Sequence, residues 1–431
     1  MTYDLPAIAL LLGTFVVLIL IRTPISFALG LSALLTAIYL KLPLLIVAQR
    51  MVAGMESINL IAIPFFILAG QIMSDGRLAE RLVDLASLFV GRIRGGLAMI
   101  NCVDSMFFGG ISGSAVADVS SLGSIMIPAM QKKGYGKGFA IALTVTTAVQ
   151  AVLIPPSHNA IIYSLAAGGV SVGRLLLAGA LPGILLGLSL MAMCYILAVK
   201  YNYPREEPIG FKRGVRIFLN GLLSLGVAVL IMGGIVSGIF TAAESSAIAV
   251  VYAFLLTFIV YRDLPLRAFF KTLKEAVVTV AMVFLLIGTS SAFGWMLTYL
   301  RVPSAVAAWM LSISQNKYVL LVLINLFLLF LGMIMDMAPA IVIVTPILLP
   351  IVKTLGVDPI HFGVILLFNL GIGLCTPPVG NALFVGCAVG KAKIEEVMGP
   401  LMLCYIPMLI ILFLITFFPG IAMYLPNLIM K

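Results

Sequence analysis

Small polar residues gather where an apolar chain has least use for them: Ser112, Gly113, Ser114 and, four positions on, Asp118. Hydroxyls, backbone carbonyls and a carboxylate are hard oxygen ligands, which suit an alkali cation and serve zinc or iron poorly. A second set stands at Gly332, Asp336 and Met337. Each set precedes a proline pair. Ile154-Pro155-Pro156-Ser157-His158-Asn159 is matched by Thr376-Pro377-Pro378-Val379-Gly380-Asn381, 222 positions later (155 to 377). Two adjacent prolines inside an apolar helix remove amide donors and free carbonyls, which is costly in hydrocarbon unless those carbonyls bind something. One cation is therefore expected between Ser112, Gly113, Ser114, Asp118 and the first break at Pro155, Ser157 and Asn159. A second is expected between Gly332, Asp336, Met337 and Thr376, Pro377, Gly380, Asn381. Helix termini of both signs at such breaks let a cation and an anionic carboxylate share the region.

Other readings compete residue by residue. Serine and glycine in membrane helices often serve only close packing. Intramembrane carboxylates are expensive, so Asp118 and Asp336 are functional candidates, with a helix cap or an arginine partner as the rival role. Asp104 and Glu56 are expected near an interface, where charge costs little, and Glu244 in the capping region of its helix. Arg301 reads as a snorkelling loop residue or as a cation meeting a substrate carboxylate. His158 could titrate near neutral pH and couple transport to protons, but Gly380 stands at its counterpart. Gly110-Ile111-Ser112-Gly113 also matches the short G-x-S-G pattern of intramembrane serine proteases, with His158 as base; the second half repeats the break without the Ser or the His.

The elements that position these residues follow from composition. The chain is 62% hydrophobic and 10% charged, with mean hydropathy +1.22. That is an all-α polytopic membrane protein. The apolar stretches are continuous rather than alternating, which excludes a β-barrel. A net charge of +10 does not signal nucleic acid, because Lys and Arg fall in short interspan segments such as Arg92-Ile93-Arg94 and Lys132-Lys133. Leu5 to Ile21, followed by Arg22, reads as a first span with its N-terminus outside rather than a signal peptide. Five scattered cysteines (Cys102, Cys194, Cys375, Cys387, Cys404) lack metal spacing and read as packing residues.

The halves repeat. Pro128 with Pro350, Gly134 with Gly356, and Gly168 with Gly390 keep the same offset as the breaks. Arg22-Thr23-Pro24 resembles Thr241-Ala242-Ala243, and Phe66 to Gly70 resembles Phe284 to Gly288. The duplication divides the chain into a first repeat (1–199), a basic cytoplasmic linker and hinge (200–216) and a second repeat (217–431). In each repeat, apolar arms too short to span about 30 Å of hydrocarbon flank a polar tip. These are two re-entrant hairpins, tipped near Ser112-Gly113-Ser114 and Asp336, each facing a broken helix.

With these segments in hand, the chain resembles the large membrane subunit of TRAP (tripartite ATP-independent periplasmic) transporters, in the ion transporter superfamily. Phe107 to Asp118, Ile125 to Met130 and the two proline breaks carry the likeness. The resemblance implies an inverted-repeat, elevator-type, sodium-driven symporter of the bacterial inner membrane, not an enzyme. Residues around 22–94 and 217–300 would form the scaffold, and the hairpins and breaks the moving domain. It implies a small four-helix membrane subunit and a periplasmic substrate-binding protein as partners. The cargo would be a small organic anion, sialic acid or a C4-dicarboxylate, met by Ser114, Asn159, Arg301 and Asn381; Arg301 looks similar to an arginine of sialic-acid members. A self-sufficient sodium–dicarboxylate symporter and a pure assembly subunit are the alternatives.

Overall fold

A backbone amide without a partner costs several kcal/mol in hydrocarbon, and the chain meets that constraint with helices throughout. The computed structural model describes residues 4–21 and 23–430, and the side chains of all of these except 58, 59 and 311. Arg22, read as closing the first span, lies outside the described residues.

The first half runs α1 (Leu5–Leu20), α2 (Ile25–Tyr39), α3 (Leu44–Met55), α4 (Ala62–Asp75), α5 (Leu78–Val90), α6 (Gly96–Ser112), α7 (Ala115–Lys132), α8 (Lys137–Thr147), α9 (Gln150–Leu153), α10 (His158–Ala166) and α11 (Val172–Lys200). The second runs α12 (Phe211–Val236), α13 (Ala242–Phe254), α14 (Leu266–Tyr299), α15 (Val302–Ile313), α16 (Lys317–Ile334), α17 (Met337–Thr354), α18 (Pro359–Leu374), α19 (Asn381–Gly390), α20 (Ile394–Phe417) and α21 (Pro419–Ile429). The order α5 to α11 is repeated by α15 to α20, with α8 and α9 together standing opposite the single α18. Among the described residues, 7 helices are long and apolar enough to cross a membrane, or 8 if the pair bent by 51° between Leu153 and His158 is one span. Leu20, Ile196, Val229, Phe270 and Trp309 stand exposed, as lipid-facing side chains do.

The halves interlock. α13 and α14 pack on α4, and α14 also covers α2 and α3. Deeper in the chain the exchange is crosswise: α10 lies on α17 of the other half, and α19 lies on α7. Polar side chains inside are paired locally, Asn101 Nδ2 with Thr144 Oγ1 (2.7 Å) and Asn325 Nδ2 with Thr416 Oγ1 (2.9 Å). The five cysteines are buried and unbridged. Glu244 completes a capping box with Thr241, accepting from its amide at 2.8 Å.

The expected linker 200–216 is shorter as built. α11 runs to Lys200 and α12 begins at Phe211, so Lys212, Arg213 and Arg216 are helical and only 201–210 is not. It is strapped down rather than slack. Glu206 N donates to Gly91 O (3.0 Å), Gly95 N to Pro204 O (3.2 Å), Lys133 pairs with Glu206 (3.4 Å), and Tyr203 stacks on Tyr135 at 4.1 Å.

A second clasp joins the halves. Arg81 donates to both carboxylate oxygens of Asp263 (2.6 and 2.8 Å) and lies 3.7 Å over the Tyr261 ring. The pair is largely shielded, with side chains 20% and 8% exposed. Arg81→Ala is expected to cost about 2 kcal/mol by stranding Asp263. Arg81→Ala with Asp263→Ala together should cost less than the two single changes added. Thermal unfolding of the four proteins measures this, and strict additivity would show that the clasp contributes nothing as a pair.

Candidate functional site

The first tip is built by one turn. α6 stops at Ser112 because Gly113 adopts φ +61°, its amide closing the helix onto Gly109 O (3.1 Å). The Ser114 hydroxyl then caps α7, accepting from Ala117 N (3.4 Å). Asn101, near the start of α6, reaches Met130 near the end of α7 (3.7 Å), so the two arms run antiparallel. A Cβ on Gly113 would sit 2.6 Å from Pro156 O and 3.4 Å from Ser157 Cα. The tip backbone therefore rests directly on the first break.

That break ends α9 where Pro155 and Pro156 have no amide hydrogen to give. Ser157 restarts the chain as the cap of α10, accepting from Ala160 N (3.4 Å). Both Pro-Pro bonds are cis. Two helix N-termini, those of α7 and α10, thus begin side by side. Each carries about half a positive charge from its free amides, a setting that favours an anion. A cavity of about 160 Å³ opens there, lined by Ser112, Ser114 and His158 and, from α4 and α14, by Gln71, Ser74 and Thr279. A larger cavity of about 290 Å³ lies against α3, α14, α10 and α17 and includes Ser290, Ser291 and Thr298, but no tip or break residue.

The second tip is turned by Met335 and Asp336 between α16 and α17. Asp336 caps α17, its carboxylate accepting from Met337 N (2.9 Å). Val379 N donates to Met333 O (3.0 Å), stitching the second break to this tip. Gly332 faces Gly373, whose Cα a side chain on Gly332 would meet at 3.1 Å. Protein groups already use part of this break: Tyr405 OH donates to Cys375 O (2.9 Å), and the Thr376 hydroxyl to Ile372 O (2.8 Å). The two sites adjoin. Asn159 Nδ2 reaches the Met337 sulfur (3.7 Å), and His158 lies within electrostatic reach of Asp336.

The structure therefore brings Ser112, Gly113, Ser114, Pro155 and Ser157 together, and separately joins the second tip to the second break through Val379 N on Met333 O and through Gly332 against Gly373. Asn159 turns its amide to Met337 instead of the first tip. Asp118 is 1% exposed and does not line the polar cavity. Arg301 occupies the exposed turn between α14 and α15 at φ +57° and lines neither cavity. Asp104 corrects the expectation of an interfacial position: it is fully buried, because it sits on the face of α6 turned into the bundle. Glu56 is exposed. Ser112 and His158 share the cavity, but the Ser112 hydroxyl bonds to the Ser114 backbone, and no Ser–His hydrogen bond forms among the described residues. Sequence reasoning passed over Gln71, Ser74 and Thr279, polar residues in apolar helices whose meeting depends on how α4 and α14 approach the tip. No cluster of His, Cys, Asp and Glu fit to hold a metal occurs among the described residues.

Comparison with known proteins agrees with this architecture. The family described as the DctM component of tripartite ATP-independent periplasmic transporters matches residues 12–421. The sialic acid TRAP transporter large permease protein SiaM of Vibrio cholerae is 38% identical over 88% of this chain and 89% of its own length. The C4-dicarboxylate large permease protein DctM of Rhodobacter capsulatus is 33% identical over 97% of this chain and 99% of its own. The crystal structure of the Alcanivorax borkumensis YdaH transporter superposes with TM-score 0.61 over 87% of each chain at 16% identity, a likeness of fold.

Proposed function

Because the chain belongs to the DctM component family of tripartite ATP-independent periplasmic transporters, a family of multi-pass membrane permeases, we propose that it drives sodium-coupled uptake of a small organic anion. The observation that carries this is the cavity where α7 and α10 begin side by side. Its floor is the first tip and break, and its wall is α4 and α14. An anionic carboxylate suits two adjacent helix N-termini, and Ser112, Ser114, Gln71, Ser74 and Thr279 offer it hydrogen bonds.

Sodium would be held by the backbone and hydroxyls of the first tip and break (Ser112, Gly113, Ser114, Pro155, Ser157), with Asp118 on the adjoining turn, and by Gly332, Asp336, Met337, Thr376, Pro377, Gly380 and Asn381 in the second half. Asn159 lies between the two. A cation beside the cavity strengthens the hold on the anion, which supplies the coupling: neither is carried well alone. The hairpins and breaks would move as one body against α2, α3, α4, α13 and α14, an elevator motion in the bacterial inner membrane. A small four-helix membrane subunit would brace the scaffold, and a periplasmic binding protein would deliver the cargo. Sialic acid and C4-dicarboxylates, the cargoes named for the Vibrio and Rhodobacter relatives, are the substrates to test first.

Proteoliposomes holding this chain, with and without the two partners, should accumulate radiolabelled sialic acid or succinate only under an inward sodium gradient and only with both partners present. Uptake by the chain alone would favour a self-sufficient symporter. Uptake indifferent to sodium would sink the coupling.

A further inference from the structure

The cavity of about 290 Å³ between α3 and α14 on one side and α10 and α17 on the other takes no part in the site above. Its walls are apolar: Ile162 and Leu165 of α10, Ile287 of α14, Val342 and Pro346 of α17. Its hydroxyls, those of Ser290, Ser291 and Thr298, all belong to α14. Ser290 is 2% exposed, and its Oγ has no hydrogen-bond partner. Half-buried Trp295 also lines the cavity; it stacks on exposed Tyr299 (5.3 Å) and carries the Arg50 guanidinium 5.2 Å over its ring. Arg50 is exposed, and among the described residues no ion pair includes it. Leu45 and Val52 of the same helix stand exposed, as lipid-facing side chains do.

Trp and Tyr collect at the level of lipid headgroups, and basic side chains between helices hold those headgroups. From Trp295, α14 descends one turn, about 5.4 Å, to Ser291 beside Ser290, and a second to Ile287. The order is cation, then hydroxyls, then hydrocarbon. A phospholipid presents phosphate, ester carbonyls and acyl chain in that same order, and an ester carbonyl is the acceptor that Ser290 lacks. Apolar walls with a few placed polar groups are the mark of a ligand pocket, and a fully water-soluble ligand would leave these walls unmatched.

We propose that this cavity takes one acyl chain of an anionic phospholipid from the surrounding bilayer, with the phosphate on Arg50 and an ester carbonyl on Ser290. With α3 and α14 in the scaffold and α10 and α17 in the moving body, the chain lies in the seam along which the two slide, so lipid composition sets how freely they do so. That consequence rests on the transport reading above; the binding does not.

The test is quenching of Trp295 fluorescence by brominated lipid chains, with the full-length protein reconstituted in vesicles. Trp309→Phe leaves Trp295 as the remaining one of 2 tryptophans. In phosphatidylcholine vesicles doped with brominated phosphatidylglycerol, half-maximal quenching is expected at about fivefold less lipid than with brominated phosphatidylcholine, the preference one arginine confers. Arg50→Gln should abolish that preference, and Arg50→Lys should keep it. Gly294→Leu should abolish it with Arg50 intact. Gly294 lines the cavity, and a Cβ there meets only Pro346 Cγ, at 3.9 Å, so the new side chain has room to fill the space. Should that variant fail to fold, Ala166→Phe fills the same cavity from α10. Equal quenching by the two lipids with Arg50 in place, or a preference that survives Gly294→Leu or Ala166→Phe, would overturn the proposal. Selective quenching beside absent uptake would count against the transport reading and leave the lipid site standing.

Discussion

Gly113→Val should reduce uptake to under about a tenth of wild type at equal amounts of chain in the membrane. A β-branched residue at φ +61° is strained by about 1–2 kcal/mol. That alone would be tolerated. The larger effect comes from Pro156 O, 2.6 Å from the new Cβ, since a backbone carbonyl cannot swing aside like a side chain. The tip must lift off the break, which opens the cavity and separates the oxygens proposed to hold sodium. Gly134→Ala is the control: φ is +85° but no atom stands within 4 Å, so it pays the strain without the collision. If Gly113→Ala and Gly134→Ala transport equally well, contact between tip and break does not matter.

The second large effect falls on stability. Gly373→Ala should destabilise the protein by about 3 kcal/mol, the upper range for overpacking, because its methyl would land on the backbone of Gly332. α16 and α18 touch here backbone to backbone, the close approach that small residues permit in membranes. Gly399→Ala, with open space around it, should leave the unfolding temperature unchanged. Equal unfolding temperatures for Gly373→Ala and wild type would show that the two helices can part without loss.

The helical, multi-pass class was legible because composition alone excludes the alternatives. Family membership was legible in the segments around Ser112-Gly113-Ser114 and the proline pairs. What was not legible was direction. Asp118 is one turn from Ser114 in sequence, yet its side chain lies with Ser105 and Asp104 rather than at the polar cavity; a rotation around α7 separates the two, and spacing alone does not choose between them. Asp104 looked harmless because a carboxylate near the membrane interface finds water, and the packing of α5 and α7 over α6 buries it. Asp336 and Glu244 each cap a helix, a role that their neighbours Met337 and Thr241 define locally. Arg301 drew attention by charge, but its place in an exposed turn is set by the ends of α14 and α15. The linker read as a hinge because it is polar and lies between the repeats; Tyr135 and Tyr203, distant in sequence, pin it.

The crosswise seating of α10 on α17 and α19 on α7 has a consequence for the ribosome. Synthesis delivers α10 into the membrane 171 residues before α17 begins (166 to 337), and α7 249 residues before α19 begins (132 to 381). For that interval the nascent first half holds a broken helix with nothing opposite, so a chain halted before Met337 cannot close either face and is a natural substrate for membrane proteases. Birth of the protein is thus all or nothing, and its two halves earn their permanence together.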